Sequence, residues 1–181
     1  MTRGIPNEDL LHAAGLTARR LTAADRSILL ELLEADAAHF SHLYGRTPAE
    51  EVDDTFTGLP PGTTADDKFL YLFQAPDGQP VGMIDLVRGY PEPDIWYLGL
   101  IFLAPHHRGR GTGTALLKAI ADWAASGGAD RLRLGVLAGN PDAHRLYERL
   151  GFQNILVRDD YRAGNKIDRV FVMELNLRPE G

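Results

Sequence analysis

The chain has 181 residues, 44% hydrophobic and 24% charged, with no cysteine. At roughly 100–200 residues per domain this is one domain, with the composition of an ordinary globular protein and not of a disordered or collagen-like chain. Nineteen Lys and Arg against 25 Asp and Glu leave a formal charge of −6, which disfavours nucleic acid as a partner, and the lack of Cys excludes disulfides, Cys-ligated zinc, iron–sulfur clusters and a Cys nucleophile.

Residues 1–14 read as a loose or helical leader without the apolar stretch of a secretory signal. No window reaches the roughly 18 apolar residues of a transmembrane helix, so a cytoplasmic protein away from membranes is expected. Leu16–Leu21 reads as a short strand. Thr22 is a candidate N-cap with Asp25 in the capping-box position, and Ile28, Leu29, Leu32 and Leu33 follow at helical spacing. His39 and His42 fall on these first helices, three residues apart and so on one face. As a metal pair they lack a third ligand in view. A second helix starts at Pro48, with Val52 and Phe56 on one side. Thr57–Asp67, rich in Pro, Gly and Thr, is a loop. Lys68–Gln74 and Pro80–Val87 form a hairpin around the turn Ala75–Gln79. Gly89–Asp94 holds two prolines and is a loop.

Ile95–Leu103 is apolar on both faces, as a buried central strand should be. A helix follows over Ala115–Ala125, with Leu116, Ile120 and Trp123 on one side and Gly127-Gly128 at its end. Arg131–Leu137 alternates as a strand. Asn140 and Pro141 are an N-cap and N1 pair. They open a helix striped by Ala143, Leu146, Tyr147 and Leu150 and closed by Gly151. Strands near Asn154–Arg158 and Asp168–Leu175 flank a polar loop at Asp159–Ile167. This order is that of an α/β fold.

Between Ala104 and Ala121 the segment APHHRGRGTGTALLKAIA carries two Arg, one Lys and two His, and no acid. It lies where a buried strand ends and a helix begins. Helix N-termini present unpaired N–H groups and partial positive charge, and glycines let an anion approach them. The segment reads as a phosphate or pyrophosphate site; the plain alternative is a Gly-rich turn with solvated arginines. No GxxxxGK[ST] run exists. A GxGxxG from Gly109 fails at Thr114, and the next strand ends without the acidic residue that would hold a ribose.

Arg108-Gly109-Arg110-Gly111-Thr112-Gly113 matches the Q/R-x-x-G-x-G/A pattern of the GNAT superfamily of acyl-CoA N-acyltransferases. Leu103-Ala104-Pro105 resembles the hydrophobic–x–Pro that closes that family's central strand. Asn140-Pro141-Asp142-Ala143 with Leu146-Tyr147-Glu148-Arg149-Leu150-Gly151-Phe152 resembles its N-x-x-A…LYxxxGF segment. The motif-rich stretch is about Ile95–Phe152, and the element order extends the likeness from about Leu16 to Leu175.

The resemblance implies a mixed, mostly antiparallel twisted sheet of six or seven strands with about four helices, in one N-acetyltransferase domain over 15–177. It implies acetyl-CoA as co-substrate, no metal, and a small-molecule or peptide amine as acceptor; a homodimer is compatible with it. The backbone of Ile101, Phe102 and Leu103 would pair with the pantetheine arm where the central strand splays from the next. Gly109, Arg110, Gly111, Thr112, Gly113 and Thr114 would cradle the pyrophosphate, with charge from Arg108 and Arg110. Asn140 would touch the pantetheine besides capping its helix. Tyr147 would protonate the leaving thiolate; its plain alternative is a core tyrosine.

One departure bears on mechanism. Some members carry a Glu general base on the strand after the Gly-loop helix, where this chain has Gly135. Asp85 is the nearest carboxylate by pattern, with an exposed strand aspartate as its plain reading. Glu92, Asp94 and a water chain ending on Tyr97 are alternatives. Trp96, Tyr97 and Tyr90 are candidates to line an acceptor pocket. The missing Glu also leaves open a non-catalytic acyl-CoA-binding module.

Overall fold

The computed structural model describes residues 5–178. Seven strands make one sheet in the order β1-β2-β3-β4-β5-β7-β6. They are β1 (Thr17–Arg20), β2 (Lys68–Gln74), β3 (Pro80–Arg88), β4 (Ile95–Leu103), β5 (Arg131–Leu137), β6 (Gln153–Ala163) and β7 (Lys166–Asn176). Only β4 and β5 are parallel. Their crossover is helix α4 (Thr112–Ser126), as a parallel pair requires.

Helices α1 (Arg26–Glu34), α2 (Ala37–Tyr44) and α3 (Pro48–Thr57) cover one face. Leu29, Leu32, Leu33, Phe40 and Val52 pack there on Leu70, Leu72, Met83 and Phe102. On the other face α4 and α5 (Pro141–Arg149) bury Leu116, Ile120, Trp123 and Tyr147 against strand residues that include Phe69, Ile84, Trp96 and Leu134. Fully burying one large apolar side chain contributes ~1.5–3 kcal/mol, and an exposed ion pair about 0–1 kcal/mol. The two apolar layers therefore hold the fold.

The elements follow local chemistry. Thr22 and Asp25 form the expected capping box, which opens a 3-10 turn at Ala23–Asp25 running into α1. Thr47 and Glu50 make a second box ahead of Pro48. Asn140 accepts from the Ala143 N–H at 3.3 Å with Pro141 behind it.

Several expectations are corrected. Asp159–Ile167 is not a loop: β6 and β7 run through it as a long hairpin with a turn at 164–165. Its polarity reflects β6 being an edge strand exposed on both sides. Among the described residues the α-helices are five, in keeping with the expectation of about four, with α2 an element of its own between Asp36 and a left-handed Gly45. Within the leader, residues 1–4 lie outside the described residues, and Glu8–Leu11 is a packed 3-10 turn with Leu11 fully buried. No helix among the described residues is long and apolar enough to cross a membrane.

Candidate active site

β4 and β5 pair from Ile95↔Arg131 to Leu98↔Leu134 and no further. The cause lies on the other edge of β4. Asp85 faces Leu100 and Leu86 faces Leu98, so Gly99 is an extra residue. Such a bulge bends its strand. Leu100–Leu103 swing off β5, which continues to Leu137 paired with β7. A wedge-shaped gap opens in the middle of the sheet.

Ala104 N–H donates to the Val81 carbonyl at 2.8 Å. Strand polar groups alternate in direction, so Phe102 also faces β3, while Ile101 and Leu103 face the gap. The Leu103 carbonyl already accepts from Arg108 Nε at 2.8 Å. The Ile101 N–H and C=O and the Leu103 N–H remain for a ligand. Phe102 offers its ring, not its backbone.

The Gly-rich turn stands at the mouth of the gap. Gly109 and Gly111 have φ of 72° and 80°, and Gly111 caps α4. Ala115 N–H donates to the Gly111 carbonyl at 3.0 Å. The N–H groups of Thr112, Gly113 and Thr114 precede it and have no acceptor within the helix. A Cβ on Gly109 or Gly111 would meet nothing within 4 Å, so the space over these amides is open. A Cβ on Gly113 would lie 3.6 Å from Leu103 and 3.8 Å from Leu146, which fixes the turn between the end of β4 and α5. Orphan amides, the positive end of a helix dipole and open space suit an anion.

The two arginines part ways. Arg108 is a strut: it holds the Leu103 carbonyl, pairs with Asp36 at 2.6 Å and lies over the Phe102 ring. Arg110 is exposed.

On the α5 side Tyr147 is 9% exposed. Burial pushes its phenol up to about 12, so it stays protonated. Tyr44 of α2 packs on the opposite face of the sheet, and burial pushes its phenol up as well.

On the α2 side stands Asp85, and the reading of it as an exposed strand residue is overturned. Its side chain is only 14% exposed and its Oδ2 is 3.0 Å from Lys68 Nζ. Its Oδ1 is buried without a hydrogen-bond partner. Lys68 also donates to the Gly58 carbonyl at 2.6 Å. Burial drives the Asp85 carboxyl up and Lys68 pulls it partly back, leaving it at about 6. The Asp85 carboxyl carbon lies 3.8 Å from the Cβ point of Gly99. Next to Gly99 across the gap is Gly135, and both glycines are exposed although they sit mid-sheet. The Tyr97 hydroxyl hangs 3.1 Å from the Cβ point of Gly135. The two glycines thus make a floor without side chains of its own, bordered by a buried carboxylate and by a phenol that burial pushes up to about 12.

Comparison with known proteins fits this geometry. The model of the Acetyltransferase (GNAT) family matches residues 29–152. The chain belongs to this family.

Among its relatives, an uncharacterized N-acetyltransferase of Bacillus subtilis is 31% identical over 55% of this chain and 37% of its own length. A Mycobacterium tuberculosis counterpart is 37% identical over 56% of this chain and 63% of its own. Mouse thialysine N-epsilon-acetyltransferase is 41% identical over 33% of this chain and 35% of its own length. The chain thus spans less than two thirds of each. Among solved structures, an acetyltransferase of Thermus thermophilus superposes with a TM-score of 0.69 at 25% identity, covering 91% of this chain and 99% of that one. A Vibrio cholerae spermidine N-acetyltransferase, solved with CoA and spermine, gives 0.71 at 18% identity over 91% and 96%.

Within this GNAT domain other candidates lie elsewhere. Glu92 and Asp94 bind Arg131 at 2.9 and 2.7 Å, at the closed end of the β4–β5 pair. Trp96 is core, ringed by Phe69 and Trp123. Tyr90 packs edge-on to Tyr97 at 5.7 Å on the open face. His39 sits against Phe40 and Phe102, and burial holds its imidazole below the usual value. His42 Nε2 lies 3.7 Å from the Cβ point of Gly139. Among the described residues no three or more His, Cys, Asp or Glu gather to hold a metal. Sequence reasoning missed Gly99, Lys68 and Tyr44. Only Gly99 carried a signal, an isolated glycine inside an apolar strand.

Proposed function

We propose that the protein moves an acetyl group from acetyl-CoA to a primary amine by direct attack in a ternary complex. One observation carries this reading: a gap in the sheet has orphan helix amides at its mouth and a buried carboxylate near pKa 6 beside its floor. Family membership and relatives named as N-acetyltransferases support it. The acceptors in the relatives' names, thialysine and spermidine, are amines.

The pyrophosphate rests on the amides of Thr112–Thr114 beside Arg110. The pantetheine runs along Ile101 and Leu103 and passes Asn140. The open groove between α4 and α5, lined by Thr114, Lys118 and Arg149 among others, offers two cations to the remaining phosphate. The acceptor amine lies over Gly99 and Gly135. A Lys-like amine is an ammonium at neutral pH, with a pKa near about 10. Asp85 takes its proton as the N–C bond forms. The C–S bond breaks, and Tyr147 passes its proton to the thiolate, which would be costly unpaired in an apolar cleft.

The rival reading, a binding module without turnover, rested on the absent Glu at 135. Asp85 beside Gly99 offers a carboxylate from another strand, which supports the catalytic reading. Titration of acetyl-CoA into the wild type and Gly111→Asp tests the ligand site. The substitution sets a negative charge against the amides and should abolish measurable binding in a folded protein; unchanged affinity would refute the site.

A further inference from the structure

The sheet face that carries Tyr97 and Gly135 continues outward onto β6, which is exposed from Gln153 to Arg162. Register runs Gly135↔Val172 and Val172↔Leu156, one row across β5, β7 and β6. The next row is Leu137↔Val170 and Val170↔Arg158. Side chains opposite one another in a row share a face. Leu156 is 44% exposed and Tyr161, on the same face opposite Asp168, is 40% exposed. Helix α2 closes one side, where Leu43 packs on Leu137 and Val170. Tyr90 and Tyr97 border the other side. The result is an aromatic and aliphatic trough leading from the glycine floor toward the sheet edge.

Two of its charged groups are already engaged: Arg133 is neutralised by Glu174 at 2.6 Å, and Asp168, opposite Tyr161, accepts from the Arg169 N–H at 2.7 Å. Arg158 makes no ion pair within 4 Å among the described residues, and its register opposite Val170 sets it on the face of the trough. An unpaired guanidinium over an apolar strip is a carboxylate receptor, because its fork of N–H groups matches two oxygens. It also repels a second ammonium.

We propose that the acceptor is an aminocarboxylate, with its carboxylate on Arg158 and its amine over Gly99 and Gly135. Strands lie about 4.8 Å apart, so two spacings from Gly135 to Leu156 give about 10 Å, and two residues further along β6 put the Arg158 backbone about 12 Å from Gly135. The arginine side chain reaches back over part of that distance. An amine and carboxylate separated by a chain of four to six carbons spans the remainder. The proposal rests on the acetyl-transfer reading and names its substrate class.

The test compares 6-aminohexanoate and lysine with 1,5-diaminopentane, which is similar in length but lacks a carboxylate. Thiol release from acetyl-CoA is followed for the wild type, Arg158→Gln and Arg158→Lys. The wild type should prefer the aminocarboxylates by at least about tenfold in kcat/KM, the scale of one charge-assisted contact. Arg158→Gln should erase that preference through KM with kcat kept, and Arg158→Lys should restore part of it. A wild type that favours the diamine, or a preference unmoved by Arg158→Gln, overturns the proposal while acetyl transfer stands. No release with any amine, despite bound acetyl-CoA, overturns the transfer reading and this proposal with it.

Discussion

The Tyr97 hydroxyl and the α-carbon of Gly135 are fitted to each other: a Cβ on Gly135 would come within 3.1 Å of that oxygen and 3.2 Å of Val170 Cγ2. The tyrosine from β4 occupies the space that a side chain on β5 would fill. Gly135→Ala should therefore cost ~1–3 kcal/mol, the scale of local overpacking, and lower kcat by shifting Tyr97. Adding Tyr97→Phe removes the oxygen and should recover part of the lost stability. Thermal unfolding of the two singles and the double reads the coupling; strict additivity would show that the two residues do not meet.

Asp85 sets the acid limb of the pH profile. As a base it works only as carboxylate, and its carboxyl sits at about 6. Activity should be full above that value and fall about tenfold per pH unit below it. Lys68 holds the pKa down from what burial alone would give. Lys68→Met should thus move the limb to higher pH. Asp85→Asn should lower kcat by at least about 10²-fold above the wild-type limb and abolish the acid limb, so that the two enzymes converge at low pH. An acid limb that stays in place in Lys68→Met assigns it to another group.

Arg108 and Arg110 should behave differently under salt. Arg110→Ala should weaken acetyl-CoA binding at about 20 mM salt and have little effect at about 500 mM, because exposed charges are screened. Arg108→Ala breaks a strut between Leu103, Asp36 and Phe102. It should lower the melting temperature, and its effect on binding should persist at high salt. The same salt response in both variants would contradict the assignment.

Tyr147→Phe keeps the ring packed against Phe152 and removes only the hydroxyl. Acetyl-CoA affinity should be near normal while kcat falls about 10²–10⁴-fold, the usual value of a placed proton donor. Full kcat would return Tyr147 to a packing role.

The sequence carried the α/β order, the Gly-rich turn and the α5 cap because each rests on local chemistry: periodicity, capping and glycine at positive φ. It did not carry the gap. That depends on where β4 slips against β3, a register set by partners remote in sequence. The same holds for Asp85: alternation assigned it to a strand face, but it is Lys68 of β2 that stands against its carboxylate. The 159–167 hairpin was hidden because an edge strand exposed on both sides has polar residues where a loop would. Arg108 looked like a free cation, since nothing local shows that Asp36 will stand beside it.

The central claim is that amine and acetyl-CoA meet across the β4–β5 gap and react. Thiol release from acetyl-CoA, measured with a panel of primary amines for the wild type, Asp85→Asn and Tyr147→Phe, tests it most directly. The account predicts release that depends on an amine and falls at least about tenfold in each variant. Acetyl-CoA binding to the gap with no amine-dependent release by the wild type would contradict it.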